Sequence, residues 1–229
     1  MLHIGIVACS TEGAALCYRT ISLEGAQRLG RHAHPEVSLH SFPLAQYMKP
    51  IDANDWAGVA ELMLASAEKL ANAGADFLIC PDNTIQQAFD LVEHRSPRPW
   101  LHIAREVAAE AKRGGYRRLA VLGTRYLMEG PVYREVLKAA GIEQRMPGAE
   151  QRQRINQIIF EELVNGRILP RSLAYFVEVI RALKDEGCDA VVLGCTEIPL
   201  LVTPESSPLP TLDSTRLLAR AAVVKAMEG

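Results

Sequence analysis

The chain repeats itself, and the repeat limits the folds open to it. Ala73-Gly74-Ala75-Asp76-Phe77-Leu78-Ile79-Cys80-Pro81-Asp82-Asn83-Thr84 lies over Glu186-Gly187-Cys188-Asp189-Ala190-Val191-Val192-Leu193-Gly194-Cys195-Thr196-Glu197 at a constant offset of 113. Gly74 meets Gly187, Asp76 meets Asp189 and Asp82 meets Cys195. Each copy reads as a glycine closing a helix, a buried strand and a small polar turn. A second pair, Ile4-Gly5-Ile6-Val7-Ala8-Cys9 over Leu119-Ala120-Val121-Leu122-Gly123-Thr124, runs at an offset of 115. Two matched pairs at nearly one offset predict duplicated lobes, with one loop difference between them.

The hydrophobic pattern gives each lobe its class. Runs at 4–8, 37–42, 77–80, 119–122 and 190–193 are short, apolar in the main, and end in small or polar residues. That is the pattern of strands covered on both faces in a parallel sheet. Between them lie amphipathic stretches at 56–73, 104–113, 130–140, 154–164 and 172–186. The alternation predicts βαβ units and a doubly wound α/β fold, here as two pseudo-symmetric Rossmann-like lobes. Pro208-Leu209-Pro210-Thr211-Leu212-Asp213-Ser214 reads as one more strand leading into a capped helix that runs through Met227. It returns the chain to the first lobe, so the expected division is 1–97 plus 208–229 against 98–207.

Composition removes several classes of function. With 25 basic against 27 acidic side chains and a net charge of −2, the chain lacks the basic face that nucleic acid requires. No apolar run reaches the length of a membrane span. The N-terminal MLHIGIVACSTEG has no basic n-region and is expected to break at Gly13, unlike a signal peptide. Five cysteines, Cys9, Cys17, Cys80, Cys188 and Cys195, are odd in number and lack C-x-x-C spacing. Neither a structural zinc site nor a disulfide framework is expected, and a cytoplasmic protein with reduced thiols is. Gly5-Ile6-Val7-Ala8-Cys9-Ser10 is not a dinucleotide fingerprint, no Walker sequence is present, and no turn motif presents a lysine for pyridoxal phosphate. The expectation is cofactor-independent chemistry on a small molecule.

The candidate chemistry sits at the strand-end turns, because open α/β sheets bind ligands beyond the carboxyl ends of their strands. Cys195 follows a buried strand; Gly194 permits a tight turn, and Thr196 and Glu197 offer backbone N–H groups to an anion. Such donors lower a thiol's pKa toward neutrality, although a buried core cysteine is the competing reading. Asp82 lies at the matched turn, where Asp-Asn-Thr is also ordinary N-cap chemistry. Two acid/base groups on opposite faces of one carbon are what stereoinversion needs: one removes the α-proton and the other returns it from behind.

These residues carry a resemblance. Leu193-Gly194-Cys195-Thr196-Glu197-Ile198-Pro199-Leu200-Leu201, Arg154-Ile155-Asn156-Gln157-Ile158-Ile159-Phe160-Glu161-Glu162-Leu163 and Leu122-Gly123-Thr124-Arg125-Tyr126 are similar to segments of the aspartate/glutamate racemase family, with weaker support from Pro99-Trp100-Leu101-His102-Ile103-Ala104. The resemblance covers nearly the whole chain. It implies two Rossmann-like lobes, one catalytic residue from each, no cofactor, and a homodimer. It also implies Arg154 as the contact for a distal carboxylate, against a plain reading as solvated charge at a helix start. Ser10, Asn83, Thr84, Thr124 and Thr196 would cradle the α-carboxylate. Glu12 reads as a helix N-terminal charge, His102 as a core histidine, and Tyr126 and Met128 as packing.

One departure from the family pattern matters as much as the match. Relatives carry Cys-Asn-Thr or Thr-Asn-Thr in the first lobe, whereas this chain has Asp82-Asn83-Thr84, and Gln86 stands where some relatives have histidine. Cys80 is two residues early and, by strand alternation, lies behind the turn. A thiol at ~8.5 and a carboxylic acid at ~3.9 differ by about 4.6 units, or ~6 kcal/mol in proton affinity. Asp82 is therefore a weak base in water, and desolvation in a closed site recovers part of the deficit. The reading is a racemase of an acidic amino acid, aspartate or glutamate, with Asp82 and Cys195 as the proton-exchanging pair. The rivals are a lyase or decarboxylase that uses Cys195 alone, and a non-catalytic amino-acid-binding protein.

Overall fold

The computed structural model describes residues 1–229. It divides into two units, Met1–Ile103 with Thr215–Gly229, and Ala104–Ser214. In the first, β1 (Ile4–Ala8) leads to α1 (Thr11–Leu29), β2 (Val37–Ser41), α2 (Leu44–Asp52), α3 (Trp56–Asn72) and β3 (Phe77–Ile79). A 3₁₀ turn (Ile85–Ala88) runs into α4 (Phe89–Val92), and β4 (Trp100–Leu101) completes a parallel sheet of order β2-β1-β3-β4.

The second unit takes up the chain one residue into α5 (Ile103–Arg113) and continues with β5 (Arg118–Leu122), α6 (Arg125–Glu129), α7 (Val132–Ala139) and β6 (Glu143–Arg145). It continues through α8 (Ala149–Glu161), α9 (Pro170–Asp185), β7 (Ala190–Leu193), α10 (Ile198–Leu201) and β8 (Thr211–Asp213). Its parallel sheet has the order β6-β5-β7-β8. Then α11 (Ser214–Met227) returns to the first unit. There Leu218, Ala219, Ala222, Val223 and Ala226 pack on Ile4, Ile6, Phe77 and Ile79. The chain crosses after β4 and after β8, so each of these strands belongs to the sheet of the unit it leaves.

The repeat seen in the sequence is a repeat of strand register. Ile4 pairs with Phe77 across β1 and β3, and Leu119 pairs with Ala190 across β5 and β7; both offsets, 115 and 113, recur in these pairs. The matched aspartates have one job in both units. Asp76 Oδ2 accepts the His3 N–H at 2.8 Å, and Asp76 N–H donates to the His3 carbonyl at 2.9 Å. Asp189 accepts the N–H groups of Arg117 at 2.7 Å and Arg118 at 3.2 Å, and its own N–H donates to the Arg118 carbonyl at 2.9 Å. Each carboxylate thus ties the amino end of one strand to the start of its neighbour, satisfying backbone donors that the ladder leaves over. The helix-closing glycines also match: Gly74 and Gly187 hold φ of 96° and 90°, a left-handed backbone that side chains with a Cβ disfavour.

Three local expectations are corrected. Gly13 does not break the chain; it lies in the first turn of α1, and its N–H is capped by Ser10 Oγ at 3.3 Å. The helix expected at 130–140 is α7, trimmed to Val132–Ala139 with Pro131 as its N-cap, and a separate short helix that was not expected, α6 (Arg125–Glu129), precedes it. The helix expected from 154 starts at Ala149, where Gln151 Oε1 caps the Gly148 N–H at 3.0 Å; its polar first turn shows no apolar face to read. No helix is long and apolar enough to cross a membrane.

Candidate active site

Both sheets end in a tight turn at the carboxyl end of their second-paired strand. Register fixes the equivalence: Ile6 pairs with Ile79 and Val121 with Val192, and Asp82 and Cys195 each follow three residues later.

In the second unit the turn is set by a close approach of backbones. Gly194 N–H donates to the Leu122 carbonyl at 2.7 Å, and a Cβ built on Gly194 would sit 2.9 Å from that same oxygen and 2.5 Å from Leu127 Cδ2. Only glycine fits there, and its turn carries Cys195 off the strand end. Cys195 Sγ–H donates to Glu197 Oε2 at 2.9 Å, and Thr196 Oγ1–H donates to the same oxygen at 2.8 Å. Glu197 is 3% exposed and Thr196 5%. The expected role of Glu197, a backbone donor, omits its side chain, which is the thiol's partner. The signal was an acid set between Cys-Thr and the apolar Ile-Pro-Leu-Leu run, where a carboxylate must find donors to be buried. Thr196 spends its hydroxyl proton on Glu197.

The other thiols are held differently. Cys80 is fully buried, with its Sγ 4.0 Å from the Asp82 carbonyl; burial, then the nearby Asp82 charge, pushes it well above the ordinary thiol range. Burial pushes the Cys188 thiol up to about 11. Both are buried, but Cys195 is 9% exposed against 0% for Cys80, so Cys80 is the more enclosed of the two.

In the first unit Asp82 is half-buried, and its Oδ1 accepts the Ile85 N–H at 3.1 Å, capping the 3₁₀ turn. Asn83 is 3% exposed. Gln86 donates from Nε2 to the Cys80 carbonyl at 3.2 Å and so braces the turn from below. Burial foremost, with the Cys80, Cys9 and Asp82 groups nearby, raises the pKa of the Tyr47 phenol. Ser10 caps α1, and Thr124 Oγ1 accepts the Leu127 N–H at 3.3 Å to cap α6. His102 is buried and meets Phe89 edge to face at 4.7 Å, and Met128 is in the second unit's core.

Arg154 lies in the second turn of α8 rather than at a helix start; it is exposed, and its Nη1 donates to Gln157 Oε1 at 2.7 Å. An open depression of about 700 Å³ runs beside the same helix, lined by Arg125, Glu129, Asn156, Gln157 and Phe160 among others. Arg154 is not among its lining residues. Directly after α8, Glu162 is buried, accepting hydrogen bonds from Ser172 and Arg171 that hold its carboxyl below the usual range.

The chain matches the Asp/Glu/Hydantoin racemase family over residues 6–222. A broad specificity amino-acid racemase of Bacillus subtilis, RacX, is 24% identical over 191 residues, covering 83% of this chain and 81% of that protein. Among solved structures, a Yersinia pestis protein with a provisional Asp/Glu racemase assignment superposes with a TM-score of 0.92 at 33% identity, covering 99% of this chain and all of that one. An aspartate racemase homologue from Pyrococcus horikoshii gives 0.87 at 27% identity, again over 99% of this chain and 100% of the other.

Proposed function

Because the chain belongs to the Asp/Glu/Hydantoin racemase family, an isomerase family, we propose that it inverts the α-carbon of an acidic amino acid, aspartate or glutamate, without a cofactor. The observation that carries this reading is the pairing of one acid/base side chain with each of two register-equivalent turns, Asp82 beyond β3 and Cys195 beyond β7.

The resting forms suit one direction directly. The Asp82 carboxylate takes the α-proton from one face, and the Cys195 thiol delivers its proton to the opposite face. The carbanion passes through an enediolate-like form, which donors aimed at the α-carboxylate stabilise. Asn83, Thr84, Thr124, Thr196 and Ser10 supply these hydroxyls, amides and N–H groups, and Arg154 takes the distal carboxylate. Product leaves Asp82 protonated and Cys195 as thiolate. That form starts the reverse reaction, or returns to the resting form by exchanging protons with water.

The test is to incubate the protein with each enantiomer of aspartate and glutamate in deuterated water. Loss of the α-proton signal together with appearance of the opposite enantiomer is the expected result. Irreversible loss of substrate with release of carbon dioxide or ammonia would instead establish a one-thiol lyase.

A further inference from the structure

Glu197 has no role in the proton transfer just described, yet it is the most enclosed charged group at either turn. Its Oε2 lies 2.9 Å from Cys195 Sγ and 2.8 Å from Thr196 Oγ1, and the residue is 3% exposed. We propose that Glu197 is a positioning residue that holds the proton on the Cys195 sulfur at rest and aims that proton along one rotamer.

The sulfur donates its hydrogen to the carboxylate oxygen, so the charge on the carboxylate bears directly on the sulfur's proton. Reference acidities favour S–H···⁻O over S⁻···H–O by about four units. The Thr196 hydroxyl favours the same arrangement, because a donor aimed at Oε2 stabilises the oxygen only while it is charged. Removing the sulfur's proton would leave two anions within hydrogen-bond reach, which the enclosed turn penalises. Titratable groups on the neighbouring elements include Tyr133 of α7, against Gly194, Asp213 of β8, paired with Leu193, and Tyr175 of α9, packed against the core cluster that holds Cys195. Burial foremost raises the Tyr133 phenol, which keeps it neutral near pH 7. All stay in place in every variant below, so the comparison among variants isolates Glu197.

Cys195 is thereby a proton donor first, and its conversion to a base is the step Glu197 resists. This assigns opposite resting duties to the two turns: Asp82 begins as acceptor and Cys195 as donor. The kinetic consequence rests on the racemase reading, whereas the state of the thiol does not.

The test is a thiolate titration, followed by ultraviolet absorbance and by alkylation rate, with Cys195→Ala subtracted to isolate this sulfur. In Glu197→Gln, which keeps the size and loses the charge, the midpoint should fall by about one unit or more, and alkylation near neutral pH should rise about tenfold. Glu197→Asp keeps the charge and should stay near wild type, which guards against a variant that merely loosens the turn. A midpoint in Glu197→Gln equal to or above wild type overturns the proposal, as does Glu197→Asp falling as far as the glutamine variant. In turnover, the alkaline limb of kcat/KM should move to lower pH by the same interval in Glu197→Gln. If no amino acid exchanges its α-hydrogen the function fails, but the thiol titration still judges Glu197.

Discussion

Asp82 Oδ1 accepts the backbone N–H of Ile85 at 3.1 Å, whereas at the equivalent turn the N–H of Ile198 goes to the backbone carbonyl of Cys195, also at 3.1 Å. The first turn therefore spends one carboxylate oxygen on its own backbone, and the second leaves its side chain clear of that duty. Asparagine caps about as well as aspartate, so the two roles of Asp82 can be separated. Asp82→Asn should keep the melting temperature close to wild type and remove inversion, since an amide cannot take the α-proton. Wild-type racemisation by this variant would sink the assignment. Asp82→Cys should restore inversion, with activity rising toward alkaline pH as thiolate forms.

The depth of the two sulfurs gives a second contrast. Cys195→Ala should abolish α-hydrogen exchange in deuterated water. Cys80→Ala removes a fully buried thiol, should cost on the order of 1 kcal/mol in stability, and should leave exchange in place. The opposite pattern in two folded proteins would move the site to Cys80.

Arg154 is tested by substrate class. If it takes the distal carboxylate, Arg154→Ala should raise KM for aspartate or glutamate by the equivalent of about 1.5–3 kcal/mol and leave alanine nearly unaffected. Equal changes for acidic and neutral amino acids would return Arg154 to the surface pairing with Gln157 that it makes in the free protein.

A fourth expectation concerns geometry alone. In Gly194→Ala the new Cβ meets the Leu122 carbonyl, a backbone atom that cannot rotate away. The variant should lose about 1–3 kcal/mol, and its kcat should fall more than its stability explains, because the turn that presents Cys195 is displaced. Denaturant titration and kinetics on the same preparation would check both; an unchanged kcat would show that the turn tolerates the shift.

Glu162 predicts an acid-side loss of stability. Its carboxyl is depressed in the folded protein, first by the Ser172 hydrogen bond and then by Arg171, so its unfolded value is the higher one. The contribution is present above the unfolded value and is lost as pH falls through the folded value. Glu162→Gln should therefore destabilise the second unit by about 1.5–3 kcal/mol at neutral pH, with the difference from wild type shrinking in acid. A constant difference at every pH would mean that packing, not charge, is what the substitution removes.

Much of this architecture was open to reading before any coordinates. The bounds expected for β1 and β7 are the observed ones, because both strands are covered on both faces and show as unbroken apolar runs. The repeat offsets carried the register itself. What stayed hidden lacked such a signal: β6 is Glu143-Gln144-Arg145, an edge strand whose side chains meet solvent and need no apolar pattern. α1 is rich in small residues and has weak sidedness, so its periodicity is faint. At the turns, the residue types of Asp82 and Cys195 were visible, but the contact between the Cys195 thiol and Glu197 was not. A two-residue spacing in a turn does not say whether a side chain folds back or points away.

The return of α11 also sets an order of events. A ribosome emits the first unit's sheet before the second unit, but Leu218, Ala219, Ala222, Val223 and Ala226, which cover Ile4, Ile6, Phe77 and Ile79, come only at the end. Until then only Cys17, Ile21 and Ile103 share that cluster and cover the face in part, while the core cluster of the second unit draws only on residues within 104–214. The later-made unit should therefore become protease-resistant first on stalled nascent chains, and the earlier-made one only when the last helix emerges. Protection appearing in the reverse order would show that the first sheet finds shelter without its final helix.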